Sequence, residues 1–158
     1  MEGMPIRVYA DTSVYGGECD EQFARASQAF FAQVRGGRFL LIVSPVLEEE
    51  LSGAPERVRT LYHEMAGLAE SAVLPTEAVR LQEAYLRAGI VGAKWADDAL
   101  HVAFATISRC SLLVSWNFQH IVHYDKIALY NAVNVVEGYG EIGIHSPEEV
   151  IEYESEDV

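Results

Sequence analysis

Residues 39–43 read FLLIV, five apolar side chains in a row between Arg38 and Ser44-Pro45. In a strand, successive side chains point to opposite faces, so a run with no polar member must bury both. That requirement narrows the fold more than any other feature of the chain. A sheet covered on both faces is the habit of parallel strands joined by helical crossovers. The segment from Ala96 to Arg109 adds a second constraint. It has helical length and is apolar almost all round, so it reads as a central, buried helix.

The rest of the chain alternates in the same manner. IRVYA, residues 6–10, is a short run of β-formers that ends at Asp11-Thr12-Ser13, and Gly16-Gly17 marks a turn. Glu21 to Val34 carries Phe23, Ala26, Phe30, Phe31 and Val34 on one helical face and closes at Gly36-Gly37. Ser44-Pro45 opens a helix, with Ser44 as N-cap, that should stop near Ser52-Gly53. Further helices follow Pro55, run from Pro75 to about Gly89, and cover Lys126–Val136. SLLVSW, residues 111–116, is a strand, with a short one around Ile142–Ile144. Strands alternating with helices predict a single α/β domain with a mainly parallel sheet.

Composition removes several function classes. The stretch Ala99 to Ser108 is far shorter than the ~20 apolar residues of a membrane span. MEGMPIRVYAD lacks a basic region and an apolar run, so a cytoplasmic protein is expected. Cys19 and Cys110 form no CxxC pair, and His120 and His123 are too close for the usual zinc spacing. No GxGxxG or GxxxxGK[ST] phosphate loop occurs, and no convincing Ser–His–Asp or Cys–His set stands out. The net charge is −13, and six acidic residues with no Lys or Arg fall in an acidic C-terminal tail from about residue 148, leaving −7 without it. Such a balance disfavours generic nucleic-acid binding but suits a site that collects cations. A basic rim would have to come from Arg35, Arg38, Arg57, Arg59, Arg87 or Lys94.

Four polar signals remain, each at the end of an apolar run or inside an apolar helix: Asp11, Glu50, Asp98 and Asn117. In an open parallel sheet, ligands collect beyond the carboxyl ends of the strands, where Asp11 and Asn117 both belong. Glu50 lies one and a half turns into the helix leaving the second strand. Asp98 lies in the first turn of the apolar helix, where the helix end favours an anion. Three carboxylates and an amide make a hard-oxygen site for Mg²⁺ or Mn²⁺. Each residue also has a structural alternative. Asp11 can be a turn residue bonding the Ser13 backbone, Asp97 or Asp98 an N-cap, Glu50 part of a charged face with Glu48 and Glu49, and Asn117 a cap for the following turn. His101 is on the Asp98 face of its helix, as a partner of that carboxylate or as a satisfied buried histidine. Phe23, Phe30, Phe31 and Phe104 read as core, and Tyr15 and Trp116 as core or as stacking residues beside the site.

VYADTSV, SPVLEEEL, DDALHVAFA and SWNF, in that order, resemble the PIN-domain family, best known from the VapC-type toxins of bacterial toxin–antitoxin pairs. The resemblance runs from Ile6 to about Ile151. It implies a three-layer α/β/α sandwich and a metal-dependent endoribonuclease that hydrolyses RNA phosphodiesters. By that resemblance Asp11, Glu50, Asp98 and Asn117 are the catalytic set, Asp11 and Asp98 hold Mg²⁺ or Mn²⁺ with Glu50 and Asn117, and Ser13, Asp97 and His101 support them. An antitoxin partner and a homodimer are implied as well, the latter through the Tyr-rich C-terminal segment and the third and fourth helices. The family usually carries an aspartate where this chain has Asn117, and often another acid near Gln119 and His120. A neutral amide there weakens a second cation most, so a binding or regulatory module with reduced catalysis is the rival expectation.

Overall fold

The structure, a computed structural model, describes residues 3–153. Among them, five parallel strands form one sheet: β1 (Ile6–Ala10), β2 (Phe39–Val43), β3 (Glu70–Ser71), β4 (Leu112–Val114) and β5 (Gly143–His145). Their order is β3-β2-β1-β4-β5. The chain therefore steps outward from β1 in one direction, then crosses back and steps outward from β1 in the other. Ile6 pairs with Phe39 and Val8 with Leu112, so β1 is central and its end, Ala10, lies level with Val114.

Helices α1 (Thr12–Gly17), α2 (Ala24–Arg35), α3 (Pro45–Leu51) and α4 (Glu56–Leu68) belong to the crossovers that lead to β2 and β3. Helices α5 (Pro75–Arg87), α6 (Ala96–Ile107) and α7 (Tyr124–Val136) belong to those that lead to β4 and β5. Right-handed crossovers in opposite directions put the two sets on opposite faces, which makes an α/β/α arrangement of three layers. A short α8 (Pro147–Val150) packs on α2.

Both opening constraints hold. In β2 every residue but Leu40 is buried, and α6 buries Ala99 and everything from His101 to Ile107. Between α5, α6 and α7 the core turns polar but stays paired. Tyr85 donates to Asn134 Oδ1, and Asn134 Nδ2 donates to Thr106 Oγ1 at 3.2 Å. Burial pushes the Tyr85 hydroxyl well above its usual range, so it remains a donor.

Several local expectations change. Residues 12–17 form a helical turn and a half rather than a simple turn, because Asp11 caps it and Val14 and Tyr15 are buried beneath. Helix α2 begins at Ala24, three residues later than the periodicity predicts. β3 has two residues and no apolar pattern to announce it. The acidic segment from 148 begins inside the fold: Ser146 and Glu149 form a capping box, and Gln33 and Arg38 hold the backbone of Glu152 and Val150. The remainder of that tail, 154–158, lies outside the described residues. No helix among the described residues is long and apolar enough to cross a membrane.

Candidate functional site

The strand order reverses between β1 and β4, and at such a switch point the two departing loops separate and leave a crevice. Asp11 follows β1 there, and Ser115, Trp116 and Asn117 follow β4. Asp11 N–H still donates to Val114 O at 3.2 Å, the last rung before the loops part.

Asp11 is buried, and three hydrogen bonds hold its two oxygens. Its Oδ1 accepts from Ser13 N at 3.1 Å and Ser13 Oγ at 2.5 Å, and its Oδ2 accepts from Ser115 Oγ at 2.7 Å. Each serine in turn accepts a backbone N–H of the β4 loop, Trp116 to Ser13 at 2.8 Å and Asn117 to Ser115 at 2.9 Å. Two hydroxyls thus tie one carboxylate to both sides of the crevice. Asp11 is at once the turn residue of the conservative reading and the deepest member of the cluster.

Glu50, not Glu48 or Glu49, is the glutamate drawn inward. His101 Nε2 donates to its Oε1 at 2.7 Å, and Thr12 Oγ1 donates to the same oxygen. His101 is 2% exposed, and its Nδ1 meets the Tyr9 hydroxyl at 2.7 Å. Tyr9, with no exposed surface, meets Ser44 Oγ at 2.6 Å. Ser44 caps α3 by accepting from Leu47 N at 3.3 Å, as its place before Pro45 predicts. A continuous polar chain therefore runs from the start of α3 through the core to Glu50. His101 bonds Glu50 rather than Asp98, and both of its nitrogens are paired.

Asp98 is half-buried in the first turn of α6, but neither it nor Asp97 is the N-cap. Trp95 holds that position without a side-chain bond, at the end of a 3-10 turn over Ala93–Trp95. Asp97 is exposed and stays outside the hydrogen-bonded network. Asn117 Oδ1 accepts from His120 N at 2.9 Å, so its oxygen caps the following turn while its amide lies beside Asp98.

The electrostatics group these residues as one cluster. Burial raises the Asp11 carboxyl above its ordinary range; His101, Ser13 and Ser115 pull it back, and Asp98 raises it further. Burial also raises Asp98, opposed by the Asn117 amide, His120 and His101 and reinforced by Glu50. Burial pushes Glu50 up too, but the His101 bond, the His101 charge and the Thr12 bond outweigh it and hold Glu50 low. For His101, burial favours the neutral form, yet the Glu50 bond and the charges of Asp11, Glu50 and Asp98 prevail and raise it. Within this group His101 acts most directly on Glu50, through its hydrogen bond, while Asn117 and His120 act more on Asp98.

The donor set is chemically suited to a hard divalent cation, with Asp98, the free oxygen of Glu50 and the Asp11 carboxylate as oxygen donors. Among the described residues, no group of three or more His, Cys, Asp or Glu side chains is arranged to hold a metal ion. Sequence reasoning missed Ser115, Thr12 and Tyr9. The first two are small hydroxyls at element ends, and Tyr9 looks like any aromatic strand residue. Of the expected basic rim, Arg35 is locked on Glu64 at 2.6 and 2.9 Å, and Arg38 on Gln33 and the Val150 carbonyl.

No protein-family model matches this chain, and no curated protein matches it.

Proposed function

We propose that the chain is a Mg²⁺- or Mn²⁺-dependent hydrolase of RNA phosphodiesters, with its site at the β1/β4 switch point. The observation that carries this reading is that Thr12, beside Asp11, and His101, on the helix of Asp98, both bond Glu50, while Asp98 interacts through charge with both other carboxylates. Two of the three are raised by burial and by a neighbouring carboxylate, the condition that a bound cation relieves.

Asp98 and Asp11 would hold the cation, with Glu50 contributing its free oxygen. When bound, the cation supplies positive charge against the phosphate and eases deprotonation of the attacking water. The chain's own residues do the positioning. Ser13 and Ser115 fix both oxygens of Asp11, and His101 and Thr12 fix Glu50. The net reaction adds water across one P–O bond, leaving phosphate on one product end and a hydroxyl on the other. The resemblance to PIN domains supports the RNA substrate. The role of toxin, with an antitoxin partner, a homodimer and a cytoplasmic setting, rests on that resemblance and on the sequence.

One observation favours a second reading, a PIN-like binding or regulatory module with weakened catalysis. The Asn117 oxygen is used by the His120 N–H, and its amide lies beside Asp98 as a neutral donor. Cleavage of assorted RNAs by the purified chain, with Mg²⁺ or Mn²⁺ against chelator, tests the two. Cutting that disappears in chelator and in Asp98→Asn is the outcome expected of the hydrolase. Cutting that appears only in Asn117→Asp assigns the natural chain to the second reading, and no cutting by either chain removes the hydrolase.

A further inference from the structure

Beside the carboxylate cluster, the loop after β4 builds a second concavity of about 510 Å³. Phe23, Trp116, Phe118 and Tyr153 wall it, and Arg25 and Glu148 stand at its rim. Trp116 is fixed there. Phe23 stacks on it with centroids 4.3 Å apart and rings 21° from parallel, and its Nε1–H donates to Ser27 Oγ at 2.9 Å. Phe118 stands edge-on to Trp116 at 6.1 Å. Phe118 is 48% exposed and Tyr153 47%, so ring surface of both is open to a ligand. Asn117, whose amide lies beside Asp98, is the residue between Trp116 and Phe118. One loop thus reaches both the pocket, through Trp116 and Phe118, and Asp98, through Asn117.

We propose that this pocket is a stacking subsite for one unpaired nucleobase of a strand whose backbone passes the carboxylates, an inference that rests on the hydrolase reading above. The chemistry of the walls selects that occupant. Half-exposed rings on a rigid tryptophan offer π-faces, and every base has a matching one. One guanidinium and one carboxylate at the rim leave the pocket nearly neutral, which suits a base and disfavours a phosphate beside Glu148. A base within a duplex keeps its faces on its neighbours, so the subsite selects single strands. On a chain of net charge −13, stacking also supplies the attraction that a basic groove gives elsewhere.

The test is fluorescence anisotropy of labelled single-stranded RNA pentamers on the full chain, in chelator at physiological salt, where metal-dependent cutting does not occur. Phe118→Ala should weaken binding about tenfold, and Phe118→Tyr should restore it. A pentamer with one abasic position should bind the wild type about tenfold more weakly and lose nothing further on Phe118→Ala. Melting curves of the variants should match wild type, as expected for a half-exposed side chain. Equal affinity of wild type and Phe118→Ala, an abasic penalty that survives in the variant, or no pentamer binding at all overturns the subsite. The two readings fail separately. Cleavage left intact by Phe118→Ala, with binding equally unmoved, removes the subsite alone. The expected binding pattern without any cleavage leaves a base-binding pocket and removes the hydrolysis.

Discussion

Replacing Tyr9 by phenylalanine removes one oxygen from a place with no exposed surface, and that oxygen holds two partners at 2.6 and 2.7 Å. The ring volume is unchanged, so packing contributes little. Ser44 keeps its bond from Leu47 N, but His101 Nδ1 loses its only partner while remaining 2% exposed. Stranding one buried polar atom costs about 1–3 kcal/mol, toward the upper end when the group is charged. We expect a loss of ~2 kcal/mol, or roughly 4–8 °C in Tm for a domain of this size. The loss should also depend on pH. His101 is raised in the folded chain, so its contribution is complete below the unfolded value near ~6.5 and fades as pH rises through the folded one. The cationic ring needs an acceptor at Nδ1, and only the tyrosine oxygen is there. The Tyr9→Phe penalty should therefore be larger at the acidic end of that window than above it. Urea denaturation at two pH values measures both quantities, and the same substitution in a His101→Leu background should cost at least 1 kcal/mol less. A Tyr9→Phe chain within ~0.5 kcal/mol of wild type at both pH values would refute the reasoning, because that is the scatter of an ordinary neutral change.

Three other outcomes follow from the same structure. Helices α2, α5 and α7 each end with a left-handed glycine, Gly37, Gly89 and Gly138, whereas α6 ends with Arg109 at φ 58°. Arg109→Gly should raise stability by about 0.5–1 kcal/mol in urea, since glycine adopts that conformation without a Cβ clash. A Cβ on Gly17 would lie 2.7 Å from Ser27 Oγ and 2.8 Å from Trp116 Nε1, whereas one on Gly16 meets nothing within 4 Å. Gly17→Ala should therefore cost about 1–3 kcal/mol, and Gly16→Ala should be neutral or slightly stabilising, in paired melting curves. Cys19 is exposed, while Cys110 is buried with its thiol pushed up to about 12 by desolvation. A thiol reagent at neutral pH should modify one cysteine in the native chain and both in denaturant, as mass spectrometry would count.

The parts of this fold that were legible in the sequence are those whose burial leaves a periodic trace. FLLIV and the apolar helix Ala96–Ile107 state their surroundings directly, because a strand or helix buried on all sides has no polar position to spare. The residues of β3 carry no such trace. Glu70 and Ser71 are exposed and pair with β2 through backbone alone. Helix α1 was illegible for a different reason. Gly16-Gly17 signals a turn, yet the Asp11 cap and the burial of Val14 and Tyr15 stabilise helix where propensity opposes it. The capping box at Ser146 and Glu149 was readable as S-x-x-E but lay inside a run that charge marks as tail.

The candidate site divides along the same line. Asp11 and Asp98 could be named because an acid at a strand end or in an apolar helix is costly and therefore conspicuous, whereas Glu50 is told from Glu48 and Glu49 by the resemblance to PIN domains. Their supports could not, because a hydroxyl in a loop or a tyrosine in a strand costs nothing until its partner is known. Those supports determine how charge is divided in the crevice. His101 pairs with Glu50 and lowers it, so its one bond to an acid goes to the carboxylate nearest solvent. Asp11 and Asp98 remain raised, Asp11 in spite of three hydrogen bonds. A fourth carboxylate at position 117 would stand beside Asp98 and push it higher, whereas the neutral asparagine amide pulls it down. Asn117 thus lets the crevice stay folded with less imported positive charge than an aspartate there would demand. The same amide reduces the drive to bind a second cation, which is why that one side chain separates the two functional readings.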